Sequence, residues 1–419
     1  MRFRKVFSIS LVAQGAVLFI GFINSVMITR NLGVEGRGQY AIAMNVITVL
    51  ALLVGDGLYR SNTYLVSANR ERLSILFSNG VLAIAGFGSL VFVIALLWGD
   101  EIIQTILPGL SIAILLWAVI SIVPLILIRS IEGLVLGLQR YLIFNGLVVL
   151  PLACFLLFNV LLYLFGQYAP SHLLRNYCMA MLVVSIPVMI WLVRNESIRF
   201  KPQWKLARES LSKGIKANVS HLCLFMLFRV DIFLINLFLG TRQAGLYSIA
   251  VLVSELLQKM ANTSGTVLFP KVAGRSSRAG QILSIRVLLF VLGAGILFSI
   301  FLLVFGKSLI VLLFKEAFAP AIDPLYYLLP GTVIMAGGKI ILFSLWGKGF
   351  PRITILVPLC ALVLNTALNL YLIPELGIRG AAISTSLSYI VFGLGLGIYY
   401  FFHPDMRNGE SSPVLEGVE

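Results

Sequence analysis

Along most of this chain hydrophobic and polar positions do not alternate. Apolar residues run on in blocks of about twenty, and short polar clusters between them hold nearly all the charge. An α-helix needs about 20 apolar residues to cross about 30 Å of hydrocarbon. Because backbone groups in lipid must pair within their own segment, runs this long predict membrane-spanning helices. Twelve are predicted, at 7–29, 40–60, 76–98, 108–131, 141–165, 175–193, 217–239, 245–268, 282–305, 324–346, 352–372 and 379–402. The fold class expected is an all-α polytopic membrane protein.

The polar punctuation repeats. A shift of 207 residues lays "NLGVEGRGQYAIA" (31–43) on "FLGTRQAGLYSIA" (238–250). It pairs Gly33 with Gly240, Gly38 with Gly245, Tyr40 with Tyr247 and Ala43 with Ala250. The same shift sets Gln14 on His221 and Asn24 on Asp231. Recurrence at a fixed offset marks a repeated unit. An even number of crossings separates the copies, so both halves have the same orientation. The expected domains are a six-helix lobe at 1–193, a basic linker at 194–216, a second six-helix lobe at 217–402 and a short acidic tail at 403–419. The glycines of 33–38 then read as a turn between spans rather than a phosphate cradle.

Composition sharpens this picture. Hydrophobic residues make up 59% and charged residues 12% of the 419, about half the charge of an ordinary soluble domain. The net charge of +15 invites a nucleic-acid reading until the cations are placed. With the N-terminus inside, 23 of the 32 Lys and Arg residues fall in inner loops and seven outside, leaving Arg229 and Lys339 within spans. That satisfies the positive-inside rule with both termini inside. The charge therefore reports topology and contact with anionic lipid, not nucleic acid. The first apolar run, to about Thr29, is too long for a cleaved signal and is expected to be retained. Cys154, Cys178, Cys223 and Cys360 have no paired spacing and read as free thiols within helices.

Catalytic motifs are scarce. "FGKS" (305–308) lacks the first glycine of a phosphate-binding loop. His172, His221 and His403 are scattered, so no metal site or nucleophile–base pair is expected. Charges within spans are costly and mark candidate function. Asp56 with Arg60, Glu255 with Lys259 and Arg129 with Glu132 have spacings that favour local pairing. Arg229 and Asp231 lie two apart, about 200° around a helix, and Lys339 has no acid within a turn, so each must look elsewhere. Arg229, Lys339, Asn24, Gln14, His221, Asn365 and Asn369 are the candidate cavity-lining, substrate-binding residues. Asp231, Glu255 and Asp56 are the candidate ion-coupling carboxylates. Asn residues serve equally well as interhelical glue.

"ITRNLGVEGRGQYAIA", "EGLVLGLQRY", "RVDIFLINLFLGTRQAGLYSIA" and "LNLYLIPELGIRGAAISTSLSY" stand in an order and spacing that resembles the polysaccharide transporter family, which includes the O-antigen flippases. It sits within the multidrug, oligosaccharidyl-lipid and polysaccharide exporter superfamily. The resemblance implies two six-helix lobes around a central cavity, opening alternately to either side of a bacterial inner membrane. It implies a polyprenyl-diphosphate-linked oligosaccharide as substrate, moved outward for surface polysaccharide or lipopolysaccharide synthesis, with no enzymatic activity and no cofactor. Coupling to H+ or Na+ is compatible with it and not required. Partners implied are membrane lipids, the lipid-linked substrate, and the glycan polymerase and glycosyltransferases of the same pathway. The alternatives are a cation-coupled multidrug exporter on the same fold, and a membrane glycan polymerase or ligase.

Overall fold

The computed structural model describes residues 3–273, 277–349 and 351–402; the acidic tail expected at 403–419 lies outside them. Every described element is helical, and no strand occurs among the described residues. In chain order the helices are α1 (Phe3–Ala51), a π-helical stretch (Leu52–Asp56), α2 (Gly57–Ala68), α3 (Leu73–Thr105), α4 (Ile112–Gly137), α5 (Tyr141–Phe165) and α6 (Pro170–Asn195). There follow α7 (Trp204–Leu239), α8 (Thr241–Ala273), α9 (Ser277–Phe314), α10 (Ile322–Gly347), α11 (Ile353–Leu376) and α12 (Ile378–Phe402). Among the described residues, ten helical stretches are long and apolar enough to cross a membrane. The first, Val12–Ala68, contains two of the predicted spans, whereas α8 is not among the ten. α8 carries Arg242, Glu255, Gln258 and Lys259 along its length.

The turn expected between the first two spans is smaller than predicted. Helix continues through 30–39, broken only at Gly33, whose φ of 68° and ψ of −175° interrupt α1. That region is open only to a residue without Cβ. Gly240, its partner under the 207-residue shift, has φ 81° and separates α7 from α8. The repeat therefore reaches the backbone angles. The likeness does not extend to the junctions after the fifth helix of each unit: Gly377 after α11 has φ 62°, whereas Gly166 after α5 is extended at φ −138°.

The chain divides into two compact units, Met1–Leu222 and Cys223–Glu419. The expected basic linker at 194–216 resolves into a short connection, 196–203, and the start of α7 at Trp204. Positive charge signals a membrane face but does not break a helix, so the sequence pattern hid this boundary. In the first unit α4 is central, packing on α2, α3 and α6. Gly133 of α4 lies so close to α2 that an added Cβ would stand 2.5 Å from the Tyr59 carbonyl oxygen. α3 and α5 turn large apolar side chains such as Leu97 and Phe165 outward, the exposure expected of a lipid-facing surface. In the second unit α10 is enclosed by α8, α9 and α12. Gly331 and Gly338 of α10 meet Ser386 and Gly393 of α12, and a Cβ on Gly331 would fall 2.4 Å from the Ser386 Cα. Small residues at such crossings let helix backbones approach where lipid gives no hydrophobic drive to associate. The thiols are all free; Cys178 and Cys223 are buried and Cys360 is exposed on α11.

Candidate functional site

Two polar systems run through the second unit, and both start on α7. Arg229 and Asp231 point to different partners, as their angular separation requires. The Arg229 guanidinium grips Glu255 of α8 with both arms, Nη1 to Oε1 at 2.8 Å and Nη2 to Oε2 at 3.1 Å. Glu255 therefore pairs across helices and not with Lys259, correcting the expectation from local spacing. Planar bidentate pairing outcompetes a one-point contact from a flexible ammonium. Lys339 of α10 is 6% exposed and holds its ammonium 4.5 Å from the centroid of the Phe228 ring. Among the described residues no carboxylate lies within ion-pair distance of it.

Asp231 ends a buried chain of hydrogen bonds. Asn369 donates to Asn365 Oδ1 (2.9 Å), Asn365 to Thr385 Oγ1 (3.2 Å), and Thr385 to Asp231 Oδ2 (3.2 Å). Tyr247 donates to the same oxygen at 2.6 Å, and the Ile232 amide to Oδ1 at 2.8 Å. α7, α8, α11 and α12 are thereby stitched together. Every polar atom in such a chain orients the next, which rigidifies the packing.

The first unit holds the matching system in neutral form. Asn176 donates to Asn159 Oδ1 (3.3 Å), Asn159 to Asn24 Oδ1 (3.1 Å), and Asn24 to the Leu152 carbonyl (3.3 Å). These join α1, α5 and α6 as the first chain joins α7, α11 and α12. Asn24, Asn365 and Asn369, candidates both for a cavity lining and for interhelical glue, are buried and bond across helices or along one. An amide carries both donor and acceptor and satisfies two helices at once. Neither Asn159 nor Asn176 stands out in the sequence; Asn365 on α11, one residue from the position that the 207-residue shift pairs with Asn159, was the available signal.

A second charged group sits in the first unit where the π-helical stretch ends. Asp56 Oδ2 lies 2.9 Å from His221 Nδ1 of α7, and its Oδ1 lies 3.9 Å from Arg129 Nε of α4. Arg129 Nη1 also bonds Glu132 at 2.9 Å, as its spacing predicted. Arg60, expected to neutralise Asp56, is exposed, and Asp56 turns to α7 and α4 instead. His221 belongs to the first unit, not the second as expected. Gln14 is exposed on α1 and joins neither group. The 207-residue shift places Glu132 on Lys339, so equivalent sites on α4 and α10 carry opposite charges.

Outside the spans, Glu196 at the end of α6 accepts from Arg70 and, at 3.3 Å, from Arg140. Partial burial works against its charge, and the two guanidiniums overcome this and hold its carboxyl below the usual range.

This fold, two units built on one helical repeat with charges inside the apolar helices, is shared with solved multi-pass helical transporters of the MOP superfamily. An inward-facing multidrug resistance MATE family transporter of that superfamily superposes with a TM-score of 0.75 at 13% identity, over 96% of this chain and 99% of the other. The lipid II flippase MurJ in an inward closed conformation gives 0.71 at 13% identity, over 92% and 86%. By sequence, the chain belongs to the polysaccharide biosynthesis protein family, whose model matches residues 3–274. A curated relative from Haloferax volcanii, named "Probable low-salt glycan biosynthesis flippase Agl15", is 28% identical over 199 residues. The match spans 46% of this chain and 41% of that relative's length.

Proposed function

We propose that this chain is a flippase that carries an oligosaccharide linked to polyprenyl diphosphate across a bacterial cytoplasmic membrane, from the inner to the outer leaflet, by alternating access. The observation that carries the reading is the buried cation Lys339, which among the described residues has no carboxylate within ion-pair distance, beside an arginine fixed by Glu255. A buried ammonium whose nearby carboxylate is already held by an arginine is expensive and is retained where it binds or conducts. A diphosphate supplies the missing charge, and Arg229 adds planar recognition of its oxygens. Family membership and the flippase relative support the glycan class of substrate. Outward movement of the anion is helped by an inside-negative potential, about 2.3 kcal/mol per charge per 100 mV.

Ion coupling is assigned first to Asp56, because Asp231 is saturated by internal donors and Glu255 is clamped by Arg229. Glycosyltransferases of the same pathway precede the flippase and a glycan polymerase follows it. Transport, not bond chemistry, is the activity.

Deleting the gene in its host tests the reading. The expected result is a build-up of lipid-linked oligosaccharide facing the cytoplasm and loss of surface glycan. Undiminished surface glycan with altered retention of cationic dyes would instead identify a small-molecule exporter.

A further inference from the structure

A groove of about 490 Å³ lies wholly within the first unit, between the π-helical stretch and α2, the start of α3, and the first turns of α7. It takes no part in the polar systems described above. Its floor is a tight helix crossing. A Cβ on Gly214 would stand 2.8 Å from the Gly57 carbonyl oxygen, and the Ser61 and Ser210 hydroxyls bond at 2.8 Å beside it.

The rim is fastened as well. Asn79 of α3 donates to the Gln203 carbonyl (3.1 Å) and accepts from the Gln203 amide (3.0 Å), while the Lys201 amide donates to Ser78 (2.9 Å). These bonds lay the connection 196–203 along α3. The walls are apolar, from Leu53, Leu58, Leu76, Leu82 and Leu211. Leu53, Leu82 and Leu211 are themselves 45–60% exposed, so the groove opens sideways onto the surface that faces lipid.

Charge is arranged at its mouth. Trp204 and Arg208 both line the groove and both are exposed. Tryptophan in that setting is the side chain enriched at the boundary between hydrocarbon and headgroups. Neighbouring arginines are committed: Arg72 to Glu209 at 3.6 Å and Arg70 to Glu196. Arg208 has no acid within ion-pair distance among the described residues. Basic residues clustered at a membrane face attract anionic headgroups, and a guanidinium matches the oxygens of a phosphate.

We infer that this groove seats one acyl chain of an anionic phospholipid of the surrounding membrane, with Arg208 holding its phosphate. Apolar wall, lateral opening, interfacial tryptophan and an unpaired guanidinium together match an amphiphile that has one charged end. A neutral small molecule would use none of the charge. The volume suits a single apolar chain of drug-like size, whereas a long polyprenyl carrier exceeds it.

The test is native mass spectrometry of the full chain in detergent, with phosphatidylglycerol or phosphatidylcholine of identical chains added during progressive delipidation. The expected result is one phosphatidylglycerol retained per chain and no retained phosphatidylcholine. Arg208→Ala is expected to weaken retention about tenfold, the loss of about 1.4 kcal/mol. Arg208→Lys restores much of it, and Ala207→Phe, which fills the groove, abolishes it. Should Ala207→Phe unfold, the exposed Arg208 variants decide alone. Equal retention of the two lipids, or wild-type retention in Arg208→Ala, would overturn the inference. Displacement of phosphatidylglycerol by added polyprenyl phosphate, one for one, would also overturn it and assign the groove to the carrier.

Discussion

Asn24 and Asp231 occupy the same position in the two copies of the repeat, and each ends a buried chain of hydrogen bonds. Asn24 can pass a bond on to the Leu152 carbonyl because its amide also donates; Asp231, as a carboxylate, only accepts, and its neighbours Tyr247, Thr385 and Ile232 all donate to it. Asp231→Asn would aim an amide N–H at hydroxyls already oriented as donors. Stability is expected to fall by about 1–3 kcal/mol, read as a lower melting temperature in detergent, and unchanged melting would contradict the network. Glu196 answers to pH. Its folded carboxyl is held below the ordinary range by Arg70 and Arg140, so its stabilisation is present at neutral pH and is lost as pH falls through that depressed value. Glu196→Gln is therefore expected to flatten the acid limb of a melting-temperature profile while leaving the alkaline limb unchanged. The charged positions were legible in the sequence, and most of their partners were not. Arg129–Glu132 lies on one helix face and was found by spacing; Arg229–Glu255 and Asp56–His221 join different helices, and linear distance says nothing of those.

Among the elements, Gly33 and Gly240 do the turning. Each holds a positive φ that a side chain disfavours, with no neighbour near enough to clash with an added Cβ. Their requirement is conformational rather than steric. Gly240→Ala is thus expected to cost roughly 1–3 kcal/mol, and Gly293→Ala, at a helical position with open space around it, far less. The comparison is made by melting or by folded yield in membranes, and equal tolerance at the two sites would show that the bend does not depend on φ. Gly331 is the opposite case, because its added Cβ meets the backbone of α12. The spans were readable because apolar length is dictated by membrane thickness. Their ends were not: α7 starts at Trp204, inside the stretch expected to be linker, since lysine and arginine are good helix formers.

For the whole molecule, the repeat was the most informative feature of the sequence, since it recurs in the backbone angles of Gly33 and Gly240 and in paired polar chains. Its departures carry the functional reading. Where the first unit has Asn24 and Glu132, the second has Asp231 and Lys339, so a buried acid on α4 is matched by a buried cation on α10. Asp56, at the end of the π-helical stretch and facing His221, is the group expected to link transport to a proton gradient. Asp56→Asn should retain substrate binding but lose its response to an imposed pH difference in vesicles, and an unaltered response would exclude it.

The most direct measurement reconstitutes the purified chain in vesicles that carry a polyprenyl-diphosphate-linked oligosaccharide and follows its exposure to an added glycosidase. With the wild-type chain the protected half of the substrate should become cleavable, whereas the double variant Arg229→Ala and Lys339→Ala, at equal incorporation, should leave it protected. Continued protection with the wild-type chain, or full exposure with the double variant, would contradict the account.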